Sequence, residues 1–230
     1  MSRHGIPAAP GGLPRARHRH VTYAAASALL RYPDEQLARD LPLLQAAAGG
    51  LPAAVGGPLL RLVSHLASEP LLTLQANYVA TFDQQRRCCL YLSYYRNGDT
   101  RRRGAALWRF RDAYRRAGFR PAGSELPDYL PMLLELAASG GDGEAAAAGL
   151  INEHRDGIRM LLSALDARQS PYAGAIQALE AVLPPASPHV IAAAARLARE
   201  GPPAELVGLE LPGSLEPYPL PAAQAGGHAS

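Results

Sequence analysis

Ser124-Glu125-Leu126-Pro127-Asp128-Tyr129-Leu130-Pro131-Met132-Leu133-Leu134-Glu135-Leu136-Ala137 places two prolines four residues apart at the head of a stretch that otherwise reads as helix. Proline lacks a backbone N–H and is tolerated in a first helical turn, where those groups have no intrahelical partner. Glu125 and Asp128 fall at the same end, where free N–H groups and the positive end of the helix dipole favour negative charge. The expected element is a rigid, acidic helix entrance followed by an apolar face of Leu130, Leu133, Leu134 and Ala137. Carboxylates in such a place are ordinarily caps rather than an acid/base pair.

Outward from this segment the periodicity stays helical. Leu71, Leu74, Tyr78 and Phe82 form a stripe behind Pro70, and Leu107, Phe110, Tyr114 and Ala117 form another that ends at Gly118. Ile158, Leu161, Leu162 and Leu165 repeat the pattern, as do Tyr172, Ile176, Leu179 and Leu183 after Pro171. Shorter helices are expected over 22–31, 34–48, 58–67 and 188–199. No run alternates with period two, so the fold class is all-α, a single bundle of about nine or ten helices. Residues 1–20 read as a disordered basic arm, 21–200 as the domain, and 201–230 as a short helix near 204–207 with a loose Pro/Gly-rich tail. The connection from Gly118 to Pro127, with Pro121 and Gly123, is long enough to act as a hinge or exchange point.

Composition removes several classes of function. The net charge is +3, but every basic residue is Arg and none is Lys, in a chain rich in Ala, Gly and Pro. That bias discounts arginine as a sign of phosphate binding, and no nucleic-acid recognition pattern accompanies it. No apolar run reaches 18 residues, so no membrane insertion is expected. The basic stretch at 15–20 ahead of Val21–Leu30 is a poor leader, and a cytoplasmic location is expected. Cys88 and Cys89 are adjacent, which suits neither a disulfide framework nor a metal site of Cys-x-x-Cys type. His154, on a stripe with Leu150 and Ile158, reads as a core histidine. No serine elbow or phosphate loop is present, and catalysis is not expected.

Gly98-Asp99-Thr100-Arg101-Arg102-Arg103-Gly104 holds a physical anomaly. Asp99 and Thr100 read as cap and first turn, yet three arginines then sit where the helix dipole disfavours cations. Arg101 or Arg103 is therefore expected to pair with Glu125 or Asp128 and lock two helix entrances together. Gly104, inside the helix, costs about 1 kcal/mol relative to Ala, which suggests a close helix–helix approach. Tyr78, Phe82, Tyr91, Tyr94 and Tyr95 form an aromatic set, one or two of which could rim a groove for an apolar peptide helix.

Two further pieces complete a pattern: Leu29-Leu30-Arg31-Tyr32-Pro33-Asp34 and Tyr78-Val79-Ala80-Thr81-Phe82-Asp83. With Gly98–Gly104 and Glu125–Pro131, in this order and spacing, the chain resembles the NarJ family of nitrate reductase assembly chaperones within the TorD-like group. The resemblance runs from about Val21 to Leu183. It implies a chaperone, not an enzyme, that binds the N-terminal segment of the apo catalytic (alpha) subunit of respiratory nitrate reductase. The client would be held for insertion of molybdenum-bis(molybdopterin guanine dinucleotide), with no cofactor or metal bound stably by the chaperone, no nucleic acid, and a homodimer possible. Peptide contacts are expected from Glu125, Pro127, Asp128, Tyr129 and Tyr78, supported by Asp99, Arg101, Arg103 and Gly104. Many relatives carry His where this chain has Tyr129, so a pH-responsive role there is not expected. The alternative is a TorD-like chaperone for another molybdoenzyme that proofreads a twin-arginine signal; a small helical enzyme using the carboxylate pair is a third reading.

Overall fold

In the computed structural model, residues 15–121 and 123–203 are described, and among them eleven α-helices and no β-strand are found. The helices are α1 (Arg15–Leu29), α2 (Glu35–Gly49), α3 (Ala53–Ser68), α4 (Leu71–Tyr78), α5 (Tyr94–Asn97) and α6 (Arg102–Arg116). They continue as α7 (Leu130–Ala138), α8 (Gly141–Glu153), α9 (Arg155–Ala167), α10 (Ala173–Val182) and α11 (Pro188–Glu200). A π-helical turn, Val79–Asp83, extends α4, and a 3-10 turn, Arg86–Cys88, follows it.

Helix α1 lies at the centre and packs against α7, α10, α2 and α3; α3 packs on α10, and α9 on α11. Its buried face, Tyr23, Ala25, Ala26, Leu29 and Leu30, meets the predicted α7 face of Leu130, Leu133, Leu134 and Ala137. Between them Ser27 donates to the Pro131 carbonyl at 2.7 Å. Each Leu or Tyr buried here removes apolar surface worth about 1.5–3 kcal/mol from water.

Local chemistry sets the boundaries. Asp34 caps α2 through the Leu37 N–H at 2.8 Å, and Ser187 caps α11 through Val190 at 3.3 Å. Helix α3 starts at Ala53 rather than at Pro58 as the sequence suggests, so Gly56 and Pro58 lie inside it. Those small residues serve packing: a Cβ on Gly56 would strike the Ala48 carbonyl, and one on Gly174 the Pro58 carbonyl. The Leu150–His154–Ile158 stripe is broken at His154, which separates α8 from α9. Arg155, only 4% exposed, pairs with Glu180 at 2.6 and 3.0 Å and clamps α9 to α10, a contact without a local signature.

The expected arm over 1–20 needs correction. Residues 15–20 begin α1, and Arg19 and His20 both bond the Glu144 carboxylate, at 2.9 and 2.8 Å. Burial alone would raise that carboxyl, but the two hydrogen bonds outweigh it and hold it below the usual range. Residues 1–14, and the short helix expected over 204–207, lie outside the described residues.

Candidate functional site

Three of the four sequence motifs meet at one backbone carbonyl. Leu30 sits just past the end of α1, where the helix must stop before Pro33. Its carbonyl accepts a hydrogen bond from the Tyr78 hydroxyl at 3.0 Å and faces the Tyr129 hydroxyl at 3.5 Å; the two hydroxyls are 3.1 Å apart. The π-helical turn after α4 places Phe82 4.7 Å from the Tyr78 ring and 4.9 Å from Tyr172, while Tyr32 meets Tyr78 edge-on at 5.4 Å. Such tilted and edge-to-face pairs match the quadrupoles of the rings.

The fourth motif holds this cluster from behind. Residues 90–92 pair with 128–130 as a single antiparallel bridge, with Leu92 N–H to Asp128 carbonyl at 3.0 Å and Leu130 N–H to Leu90 carbonyl at 2.8 Å. The bridge brings the Tyr91 and Tyr129 rings to 5.4 Å. Asp128 is 0% exposed, and its Oδ2 accepts from the Ser93 N–H at 3.1 Å and the Ser93 hydroxyl at 2.6 Å. Arg103 stands 3.7 Å from that oxygen, donates to Ser93 Oγ at 3.3 Å and to Asp99 at 3.3 Å, and lies against the Tyr91 ring. The expected pairing of Arg103 with Asp128 is present.

Three other expectations fail. Helix α7 begins at Leu130, with Pro131 in its first turn, so Glu125 and Asp128 belong to the preceding turn and cap nothing. Asp99 does not cap α6, whose first turn has no side-chain cap, and its carboxylate is taken by Arg103. Gly104 is exposed with no atom within 4 Å of where a Cβ would stand, so no close helix approach explains it. Arg101 occupies the exposed position ahead of α6.

In front of the cluster runs a groove of about 710 Å³ lined by Tyr32, Tyr114, Phe119, Met132, Leu136 and Tyr129, with Arg31, Asp34, Arg120, Glu125 and Glu135 around it. A smaller hollow of about 250 Å³ continues it past Tyr78, Phe82, Asp83 and Tyr91, sharing Tyr32, Glu125 and Tyr129. Tyr91 donates to Glu125 at 2.6 Å, and Arg31 pairs with Glu135 at 3.5 Å. Glu125, Tyr129 and Tyr78 therefore line the groove, whereas Pro127 and Asp128 are buried behind it. Ser93 was not legible as a site residue, being a lone serine between aromatics. Tyr91 stood in the aromatic set without a role.

Burial sets the protonation states around the groove. Burial raises the phenols of Tyr78 and Tyr129, and burial together with the Glu125 carboxylate raises that of Tyr91, so all three stay protonated as hydrogen-bond donors. Burial pushes the Cys89 thiol up to about 11, and Cys88 upward as well, which disfavours the reactive thiolate. No group of three or more His, Cys, Asp or Glu that could hold a metal ion is found among the described residues. No helix among them is long and apolar enough to cross a membrane.

Residues 48–178, more than half of the chain and inclusive of three of the motifs, match the family model described as nitrate reductase delta subunit. The chain belongs to that family. A Bacillus subtilis relative, named as the nitrate reductase molybdenum cofactor assembly chaperone NarJ, is 35% identical over 170 residues, spanning 72% of this chain and 89% of its own length. Escherichia coli NarJ, of the same description, is 31% identical over 150 residues, covering 64% of this chain and 63% of itself. The nitrate reductase-like protein NarX of Mycobacterium tuberculosis is 38% identical over 159 residues, 69% of this chain but 24% of that longer protein. A crystal structure from Archaeoglobus fulgidus, described as a redox enzyme maturation protein, superposes with a TM-score of 0.51 at 22% identity over 76% of this chain and 96% of its own, which supports the all-α fold. The two NarJ relatives thus carry the names of assembly chaperones rather than of catalysts.

Proposed function

We propose that the chain is a system-specific chaperone that binds the N-terminal segment of the apo catalytic (alpha) subunit of respiratory nitrate reductase in the cytoplasm. It holds that subunit while molybdenum-bis(molybdopterin guanine dinucleotide) is inserted. The observation that carries this reading is the aromatic groove, on which all four motifs converge, either in its lining or directly behind it. An amphipathic helix laid in such a groove buries its apolar face against rings and Met132, the helix-in-groove mode. Asp34, Asp83, Glu125 and Glu135 outnumber Arg31 and Arg120 around it, an acidic rim that also suits the basic twin-arginine peptide of the alternative, so peptide charge preference separates the two.

The cofactor belongs to the client, and the chaperone acts by retaining an unfinished enzyme. Release follows from weaker affinity for the folded, loaded subunit, a population shift that needs no nucleotide. The loop from Gly118 to Pro127 forms one side of the groove and is the exchange point for a homodimer, which sedimentation at two protein concentrations reads.

Calorimetric titration with a synthetic peptide from the N-terminus of the nitrate reductase catalytic subunit, beside a twin-arginine signal peptide, tests the reading. Micromolar or tighter binding of the first alone, lost in Glu125→Ala and Tyr129→Ala, is expected. Binding of the second alone reassigns the client to another molybdoenzyme, and binding of neither removes the groove from client capture.

A further inference from the structure

The hollow that continues the groove past Tyr78 is small, about 250 Å³, less than a drug-sized ligand fills and enough for the head of one side chain. Its walls are rings. Tyr32, Tyr78, Phe82, Tyr91 and Tyr129 surround it, with Leu90 as the one aliphatic member. The rings are fixed against one another: Tyr32 stands edge-on to Tyr78 at 5.4 Å, Phe82 lies 4.7 Å from Tyr78, and Tyr91 lies 5.4 Å from Tyr129. Three of the hydroxyls are already engaged, those of Tyr78 and Tyr129 at the Leu30 carbonyl and that of Tyr91 on Glu125. What these walls offer an occupant is therefore mainly π surface, whose negative face attracts cations.

Two carboxylates complete the lining, and among the described residues no Arg, Lys or His joins them. Asp83 comes from the π-helical turn, whose wider winding places both Phe82 and Asp83 on the side of Tyr78, where an α-helix would turn Asp83 away. It ends the Tyr78–Asp83 motif, is exposed, and its carboxylate has no hydrogen bond or ion pair among the described residues. Glu125 comes from the turn before α7 and engages one oxygen with Tyr91 at 2.6 Å. The neighbouring cations are committed. Arg31, in the adjoining groove, pairs with Glu135 at 3.5 Å, and Arg103, over the Tyr91 ring at 5.7 Å, is held by Asp99 and Asp128. An apolar occupant would strip water from both carboxylates and leave them unpaired. A metal ion would meet rings where it needs further oxygen ligands, and no group of three or more His, Cys, Asp or Glu able to hold one is found among the described residues. An organic cation satisfies rings and carboxylates together.

We infer that this hollow is a cation subsite of the client groove, in which a primary ammonium or guanidinium group of the bound peptide stands among the rings and pairs with Asp83 and Glu125. The inference rests on the groove being where the peptide binds. It gives Asp83, the last residue of its motif, a part in recognition. It also sets the register of a peptide that apolar contacts alone would leave free to slide along the groove. Two sources carry this chemistry: the free amino terminus of the peptide, and a Lys or Arg side chain within it.

Calorimetric titration of the full chain with whichever of the two client peptides the groove takes, in three forms, tests this. One form is unmodified, one is acetylated at its amino terminus, and one has every Lys and Arg replaced by Gln. Wild type is expected to lose about tenfold in affinity for one of the modified forms, and that form names the source of the cation. Asp83→Asn, an isosteric change at an exposed position, should keep the melting temperature of wild type and lose about tenfold for the unmodified peptide. It should no longer distinguish that peptide from the form lacking the cation, since one interaction has been removed from either side. Tyr32→Leu, which keeps an apolar wall but removes one ring, should weaken the unmodified peptide about threefold and the cation-free form hardly at all. Equal affinity of wild type and Asp83→Asn for the unmodified peptide overturns the inference and leaves the groove reading intact. So does a wild type that binds all three forms alike, or an Asp83→Asn variant that weakens all three equally. Binding of neither client peptide to wild type overturns the groove reading, and this inference with it.

Discussion

The hydroxyls of Tyr78 and Tyr129 lie 3.1 Å apart over the Leu30 carbonyl, but only Tyr78 is within a good hydrogen bond of it, at 3.0 against 3.5 Å. Tyr78 thus satisfies the helix end and Tyr129 leans on Tyr78. Tyr78→Phe leaves a buried carbonyl with its weaker partner and is expected to cost about 1–2 kcal/mol, whereas Tyr129→Phe should cost about 1 kcal/mol or less. Urea titration of both variants measures the difference, and a larger cost for Tyr129→Phe would reverse the assignment.

Asp128 is buried behind the groove and held by Ser93. Truncating it leaves the Ser93 hydroxyl and N–H without their acceptor and takes from the Arg103 guanidinium one of its two carboxylates, so Asp128→Ala should lose roughly 3 kcal/mol. Its peptide affinity should fall only as far as the folded fraction falls. A variant with an unchanged urea midpoint and lost peptide binding would place Asp128 in direct contact after all.

Two glycines of one motif should respond in opposite directions. Gly104 is exposed within α6 with open space around it, so Gly104→Ala is expected to stabilise by about 0.5–1 kcal/mol. Gly98→Ala meets both a positive φ and the Pro203 carbonyl, and should destabilise by about 1–3 kcal/mol. Thermal melts of the pair decide.

Stability should also depend on pH through His154. Burial against Phe110, whose ring is 5.1 Å away, holds its imidazole below the ordinary value. The unfolded chain takes up that proton near pH 6.5, about where a free histidine titrates, and the folded chain only at lower pH. Between the two the unfolded state binds more protons, so the contribution is complete above about pH 6.5 and is lost as pH falls. Melting temperatures from pH 7.5 down to pH 5.5 should drop more steeply for wild type than for His154→Gln.

Much of this architecture was legible because it rests on short-range physics. Stripes such as Leu74–Tyr78–Phe82 are local, and the α7 face needs only its own period. The Arg103–Asp128 pair was readable for a different reason: arginines at a helix start require compensation, and few carboxylates were available. What escaped depends on contacts distant in sequence. Nothing local shows that Asp128 faces inward to Ser93, that Gly98 receives Pro203, or that Arg155 meets Glu180. The helix start at Leu130 was missed because two prolines four apart each satisfy the same first-turn rule, and only the pairing of 90–92 with 128–130 selects the second. The start of α1 was missed because the partner of Arg19 and His20 is Glu144, over a hundred residues away.

The meeting of Leu30, Tyr78 and Tyr129 also governs when the protein becomes useful during its own synthesis. The first two supply half of a surface that is closed by the last, so a ribosome-bound chain that has made α1 to α6 has the Leu30–Tyr78 bond but lacks the Tyr129 and Met132 side of the groove. Domains assemble as units while the chain emerges. Completion of the groove therefore waits for the emergence of α7, and an interrupted translation product carries only one of its walls.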